Sequence, residues 1–174
     1  MRPPGGAKSL WSRGAIVTAI VSLLVLALSS PASADVIYDD GHVYAGDGPC
    51  TWARAEVSHG GGGGYTRSDV AQDYQLQTPW GSYDCRDTTP TQGAGRMALR
   101  YDWYYWNGTE WRICGVSDWH YNPQTSHSFA IAWDFGANPL CGPGYYGTMT
   151  AAFTLNGTEW LGGPLWSGSH YLPA

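Results

Sequence analysis

The pentapeptide Asn-Gly-Thr-Glu-Trp occurs twice in this chain, at residues 107–111 and 156–160. Each copy follows a run of alternating aromatic or apolar residues. Asn-Gly tolerates the positive φ angles of a type I′ turn, whose twist matches that of paired antiparallel strands. Both copies therefore predict a β-hairpin. The first copy is followed after eight residues by His120-Tyr121-Asn122-Pro123, and the second after nine by His170-Tyr171-Leu172-Pro173. A loop or β-bulge absorbs a difference of one residue. The sequence thus predicts a duplicated hairpin unit, running over 101–123 and again over 148–173.

The rest of the pattern agrees with strands. Trp52, Arg54 and Glu56 alternate with Ala53, Ala55 and Val57. Met97, Leu99, Tyr101, Trp103 and Tyr105 alternate with Ala98, Arg100, Asp102, Tyr104 and Trp106. Phe129, Ile131 and Trp133 alternate with Ala130, Ala132 and Asp134, and a further strand runs from about 148 to 155. Period-two alternation places successive side chains on opposite faces of a sheet. Nothing after residue 34 reads as a helix, and Gly and Pro punctuate the segments. The expected fold class is all-β, a disulfide-stapled β-sandwich or partly closed barrel of short antiparallel strands. Residues 60–64 are five glycines and read as a mobile loop tip. Residues 87–95 and 136–147 read as two further loops.

The first 34 residues have the three parts of a cleaved export signal: Arg2, Lys8 and Arg13, an apolar run at 15–28, and Ala32-Ser33-Ala34. The run is short for a bilayer core, which takes about 20 residues. The expectation is a secreted protein, with a single all-β domain over 35–174 and no membrane association after cleavage. All four cysteines, Cys50, Cys85, Cys114 and Cys141, lie in that domain. An even count in an exported chain reads as disulfides. Pairing Cys50 with Cys85 and Cys114 with Cys141 closes the shorter loops. With no Cys-x-x-Cys pair, a four-thiolate zinc site is disfavoured. From residue 35 on, six arginines stand against fourteen carboxylates and no lysine, a formal net charge of −8. Nucleic acid and anionic membranes are therefore poor partners.

Catalytic signals are sparse. There is no Gly-x-Ser-x-Gly elbow, and Ser169 and His170 are neighbours on a strand, so they face opposite ways. Asp102, Glu110, Asp118, Asp134 and Glu159 all neighbour aromatics, as the carboxylate pair of a small glycosidase would. His42 with Asp39, Asp40 and Asp47, or Asp118 with His120 and His127, are the nearest approaches to a metal site, and neither has a calcium-loop order. No cofactor and no metal is expected.

Aromatics dominate instead. Residues 35–174 hold nine Trp, twelve Tyr and three Phe. One core does not bury aromatics from both faces of a strand, so exposed rings and a recognition surface are expected. The candidate binding residues are Tyr104, Trp106, Trp111, Trp119, Trp160 and Trp166. The segments Cys141-Gly142-Pro143-Gly144-Tyr145-Tyr146-Gly147-Thr148 and Trp166-Ser167-Gly168-Ser169-His170-Tyr171-Leu172-Pro173 resemble the tails of small exported actinobacterial β-proteins. Among these, the chain is similar to the adaptor subunits of umbrella toxin particles. In such particles, used against competing bacteria, the adaptor links a lectin-like subunit to a large stalk protein. The resemblance implies a non-enzymatic adaptor whose partner is another secreted protein. The alternatives are a carbohydrate-binding module acting on polysaccharide and a small secreted glycosidase.

Overall fold

A computed structural model describes residues 35–46, 48–59, 64–77, 83–86, 90–134 and 140–173. The expected export segment, four of the five glycines at 60–64, Asp47 and residues 87–89 lie outside the described residues. Eleven strands and no helix are found among those described. In chain order they are β1 (Val36–Ala45), β2 (Pro49–Ser58), β3 (Tyr65–Gln77), β4 (Tyr83–Arg86), β5 (Met97–Trp106), β6 (Trp111–Val116), β7 (His120–Tyr121), β8 (Ser128–Asp134), β9 (Gly144–Asn156), β10 (Glu159–Trp166) and β11 (His170–Leu172). The fold is an all-β, sandwich-like pair of antiparallel sheets. The five-stranded sheet has the order β1-β2-β3, after which the two halves of β3 pair with β8 and β4. The six-stranded sheet has β9 and β5 at its centre. β10 and β11 flank β9, and β6 and β7 flank β5.

The duplication shapes the second sheet. In each copy a long strand pairs with its hairpin partner, then with a short strand carrying the His-Tyr word. A serine makes both corners. Ser117 N–H donates to Tyr101 O, and its hydroxyl accepts from Tyr101 N–H and donates to Asp118 O. Ser167 does the same with Thr148 and Gly168. β5 and β9 are antiparallel neighbours, and Asp102 lies opposite Met149. An approximate two-fold axis through that pair relates β5-β6-β7 to β9-β10-β11. The unit is longer than its sequence match, because β9 begins at Gly144. The segment 144–147, expected as loop, is therefore strand, held between β5 and β11.

Both hairpins form, but neither has Asn-Gly at its two central positions. In the first, Trp106 pairs with Trp111 across a four-residue loop. Asn107 Oδ1 caps it, accepting from the N–H groups of Thr109 and Glu110 at 2.9 and 3.0 Å. In the second, Asn156 pairs with Glu159, which leaves Gly157 and Thr158 as the loop. Gly157, at φ +61°, takes the left-handed position there. An asparagine side chain competes with the ladder for the same N–H groups, so one word supports two registers.

The core lies between the sheets. At one place Ala53, Val70, Met97, Leu99 and Ala152 pack together, and at another Val57, Trp103, Tyr146 and Leu172. Trp103 stacks on Tyr146 with ring centroids 4.4 Å apart. Three buried hydroxyl pairs cross from sheet to sheet: Thr51 to Thr154 at 2.7 Å, Thr66 to Thr148 at 2.6 Å, and Ser68 to Thr150 at 2.6 Å. Each pair continues to a carbonyl, since Thr51, Thr66 and Thr150 donate to Leu161 O, Glu56 O and Arg54 O. Disulfides join Cys50 to Cys85 and Cys114 to Cys141. The first ties β2 to β4 across β3, and the second ties β6 to the segment before β9. Both are consistent with an oxidising environment.

Two predictions follow from this interior. Thr66→Val leaves the buried Thr148 hydroxyl without its partner and costs about 1–3 kcal/mol by urea denaturation; Thr148→Val, which leaves Thr66 donating to Glu56 O, costs less, and the double variant costs less than the sum. His170, on β11, has its Nε2 buried with no hydrogen-bond partner. Burial holds its pKa below the usual 6.5, with Asp35 opposing the shift and His59 adding to it. Below about pH 6.5 the unfolded chain takes up a proton here that the folded chain resists. This contribution is thus complete above that pH and falls as the solution is acidified. His170→Asn, assayed by denaturation across that range, flattens the loss.

Candidate aromatic binding face

The two outer faces of the sandwich differ in chemistry. That of the five-stranded sheet is charged, with Arg54–Glu56 and Arg67–Asp69 ion pairs at 2.9 and 2.7 Å. His42 Nε2 meets Asp73 Oδ2 there at 2.7 Å. The outer face of the six-stranded sheet is aromatic. All six candidate residues, Tyr104, Trp106, Trp111, Trp119, Trp160 and Trp166, belong to that sheet or to the corner before β7. They form two groups.

In the first group Trp166 meets Tyr104 and Trp111 edge-on, both at 73° between ring planes, and Trp106 meets Trp111 at 58°. Trp166 lies flat because the strand beneath it carries Gly147. A Cβ there would sit 2.2 Å from the Trp166 ring. In the second group Trp119 packs on Phe153 at 5.8 Å and Tyr121 on Trp160 at 6.0 Å. Tyr121, Phe153 and the small Ala98 between them were not among the candidates. The repeated His-Tyr word marks Tyr121. Phe153 and Ala98 become neighbours only through the β5–β9 register.

Each group lines a cleft built from both copies of the repeat. One, about 250 Å³, has Ala98, Trp119 and Tyr121 from the first copy and Phe153 and Trp160 from the second. The other, about 300 Å³, has Trp106 and Trp111 from the first copy and Tyr145 and Ser169 from the second. The two-fold relation matches them residue by residue. Ala98 pairs with Tyr121 as Tyr145 pairs with Tyr171, and Phe153 lies as far beyond Met149 as Trp106 lies beyond Asp102. The copies have diverged where Tyr145 replaces Ala98 and Ser169 replaces Trp119.

The carboxylates and imidazoles do not line these two clefts, although the Arg100–Asp102 pair shares the outer face of the six-stranded sheet with them. Asp102 is held by Arg100 at 2.9 Å and Glu110 by Arg112 at 2.7 Å. Asp118 and His120 line a cleft of about 500 Å³ with Tyr101 and Trp133. His127 is not with them: it lines a separate cleft beside Trp52 and Asp73, and its Nδ1 meets Pro90 O at 3.1 Å. The expected Asp118, His120 and His127 group therefore does not assemble, because β8 carries His127 into the other sheet. His42 is paired with Asp73 rather than with Asp39 or Asp40. Among the described residues no three His, Cys, Asp or Glu side chains gather as metal ligands.

Gly147→Ala is expected to lift Trp166 off the sheet. The exciton couplet of the coupled tryptophans in far-ultraviolet circular dichroism should fall, at a stability cost of about 1–3 kcal/mol. The chain matches no family model, no curated protein and no solved structure.

Proposed function

We propose that this chain is a secreted, non-enzymatic protein-binding domain, an adaptor that docks through the outer face of its six-stranded sheet. One observation carries the reading: exposed aromatics form two edge-to-face groups on a single face, with Trp111, Trp119 and Trp160 each about two-fifths exposed. Clustered Trp and Tyr on an exposed patch are the usual anchors of protein interfaces. A polysaccharide platform needs ring planes in line with a flat sugar chain. Here neighbouring planes are inclined by 56° to 73°. The export pattern and the two disulfides support an extracellular site of action. The tail resemblance supports a place in a secreted toxin assembly active in bacterial competition.

The test is purification of the tagged protein from its own culture fluid. A second secreted protein is expected to co-purify in fixed ratio. Trp111→Ala or Trp166→Ala should weaken that complex by at least about 30-fold, the scale of an interface hot spot. Retention on insoluble polysaccharide with no protein partner overturns the reading in favour of a carbohydrate module. Glycan cleavage that is abolished by Asp102→Asn or Asp134→Asn overturns it in favour of an enzyme.

A further inference from the structure

The cleft over Ala98 has a chemistry that its counterpart lacks. Its walls are four aromatic side chains, Trp119, Tyr121, Phe153 and Trp160, and its floor is the methyl group of Ala98. The rings are inclined rather than stacked, Trp119 to Phe153 by 62° and Tyr121 to Trp160 by 56°, around a cleft that is open to solvent on one side, where Trp119, Tyr121 and Trp160 are exposed. Aromatic faces carry negative potential and attract cations, most strongly when water is excluded. Among the described residues no charged side chain lines the cavity. One wall already meets a cation on its flank, for the Arg100 guanidinium lies 5.5 Å from the Trp119 ring. That charge is offset by Asp102 at 2.9 Å. The domain's formal charge of −8 adds a long-range attraction of the same sign.

The lining also selects the kind of cation. A primary ammonium or a guanidinium brings N–H donors that must find acceptors once buried. Indole N–H groups only donate, and among the described residues the Tyr121 hydroxyl is the one side-chain acceptor in the lining. A quaternary ammonium has no N–H to satisfy. Size agrees, because about 250 Å³ falls below the range of drug-sized pockets. In the related cleft Tyr145 occupies the position of the alanine floor, and Ser169 removes a wall.

We propose that the Ala98 cleft is a binding site for a quaternary ammonium group, of the trimethylammonium kind carried by choline. The site needs no protein partner, so it stands or falls apart from the docking role. The test is calorimetric titration of the purified secreted protein with choline, and with the uncharged isostere of choline in which carbon replaces the ammonium nitrogen. Choline is expected to bind about tenfold more tightly than the isostere. Trp160→Ala should weaken choline binding. Ala98→Leu should abolish it by filling the floor, with an unchanged circular dichroism spectrum. Equal binding of the isostere overturns the proposal and leaves an apolar pocket. So does absence of choline uptake, or uptake that survives Ala98→Leu. If Trp160→Ala does not fold, Ala98→Leu alone decides.

Discussion

Between β2 and β3 on one side and β9 on the other, hydroxyls bond to hydroxyls where a sandwich ordinarily packs branched hydrocarbon. Thr51, Thr66 and Ser68 reach Thr154, Thr148 and Thr150, and all six side chains are buried. A bond of that length brings the sheets closer than opposed leucines would. Some of their neighbours in the interface are small: Ala53, Ala55 and Ala152. Bulk comes from β5, whose Met97, Tyr101 and Trp103 lie opposite Thr154, Thr150 and Thr148, and Trp103 stacks on Tyr146. Among the described residues, only Tyr101, Trp103 and Tyr146 of the aromatics are buried in the interior. A chain with so many of them must then place the surplus outside, and the outer face of the six-stranded sheet receives it.

That explains which parts of the fold were legible in the sequence. Alternation along Met97, Leu99, Tyr101 and Trp103 identified the inward face of β5, because large apolar residues at period two have one sensible destination. The pairing of cysteines followed from chain distance alone. The hydroxyl pairs were not legible, since serine and threonine read as solvent-facing until their partners across the core are known. The same limit hid the start of β9. Gly144 and Gly147 read as loop, yet Gly147 is strand, paired with Tyr104, and its missing side chain makes room for the Trp166 ring. The Asn-Gly turns show a different limit. The word predicts a reversal, but loop length depends on whether Asn107 caps its own turn or Asn156 joins the ladder.

The binding face was half legible for a related reason. Composition and alternation identified six aromatics that do share one sheet, while the clefts they line depend on pairing between the two copies of the repeat. Each cleft takes its hairpin from one copy and its short strand from the other. Ala98, the least conspicuous residue of the group, acquires meaning only as the residue opposite Phe153. No window of sequence contains both walls of either cleft.

Sharing the walls in this way has a consequence for how the repeat diverges. In a pair of independent units, each copy would carry its own whole site. Here a change in one short strand alters the cleft whose hairpin belongs to the other copy. Trp119 in the first copy and Ser169 in the second therefore make the two clefts different without touching either hairpin word. The Asn122 to Leu172 difference works the same way in the interior. Asn122 accepts from the Arg96 and Met97 N–H groups and fastens the loop before β5, whereas Leu172 fills the core beside Trp103. The hairpin words, which set the strands, are kept alike, and the differences fall on the long strands, at Ala98 and Tyr145, and in and around the short strands that follow the words. Architecture and recognition thus change at separate positions of the same repeated unit.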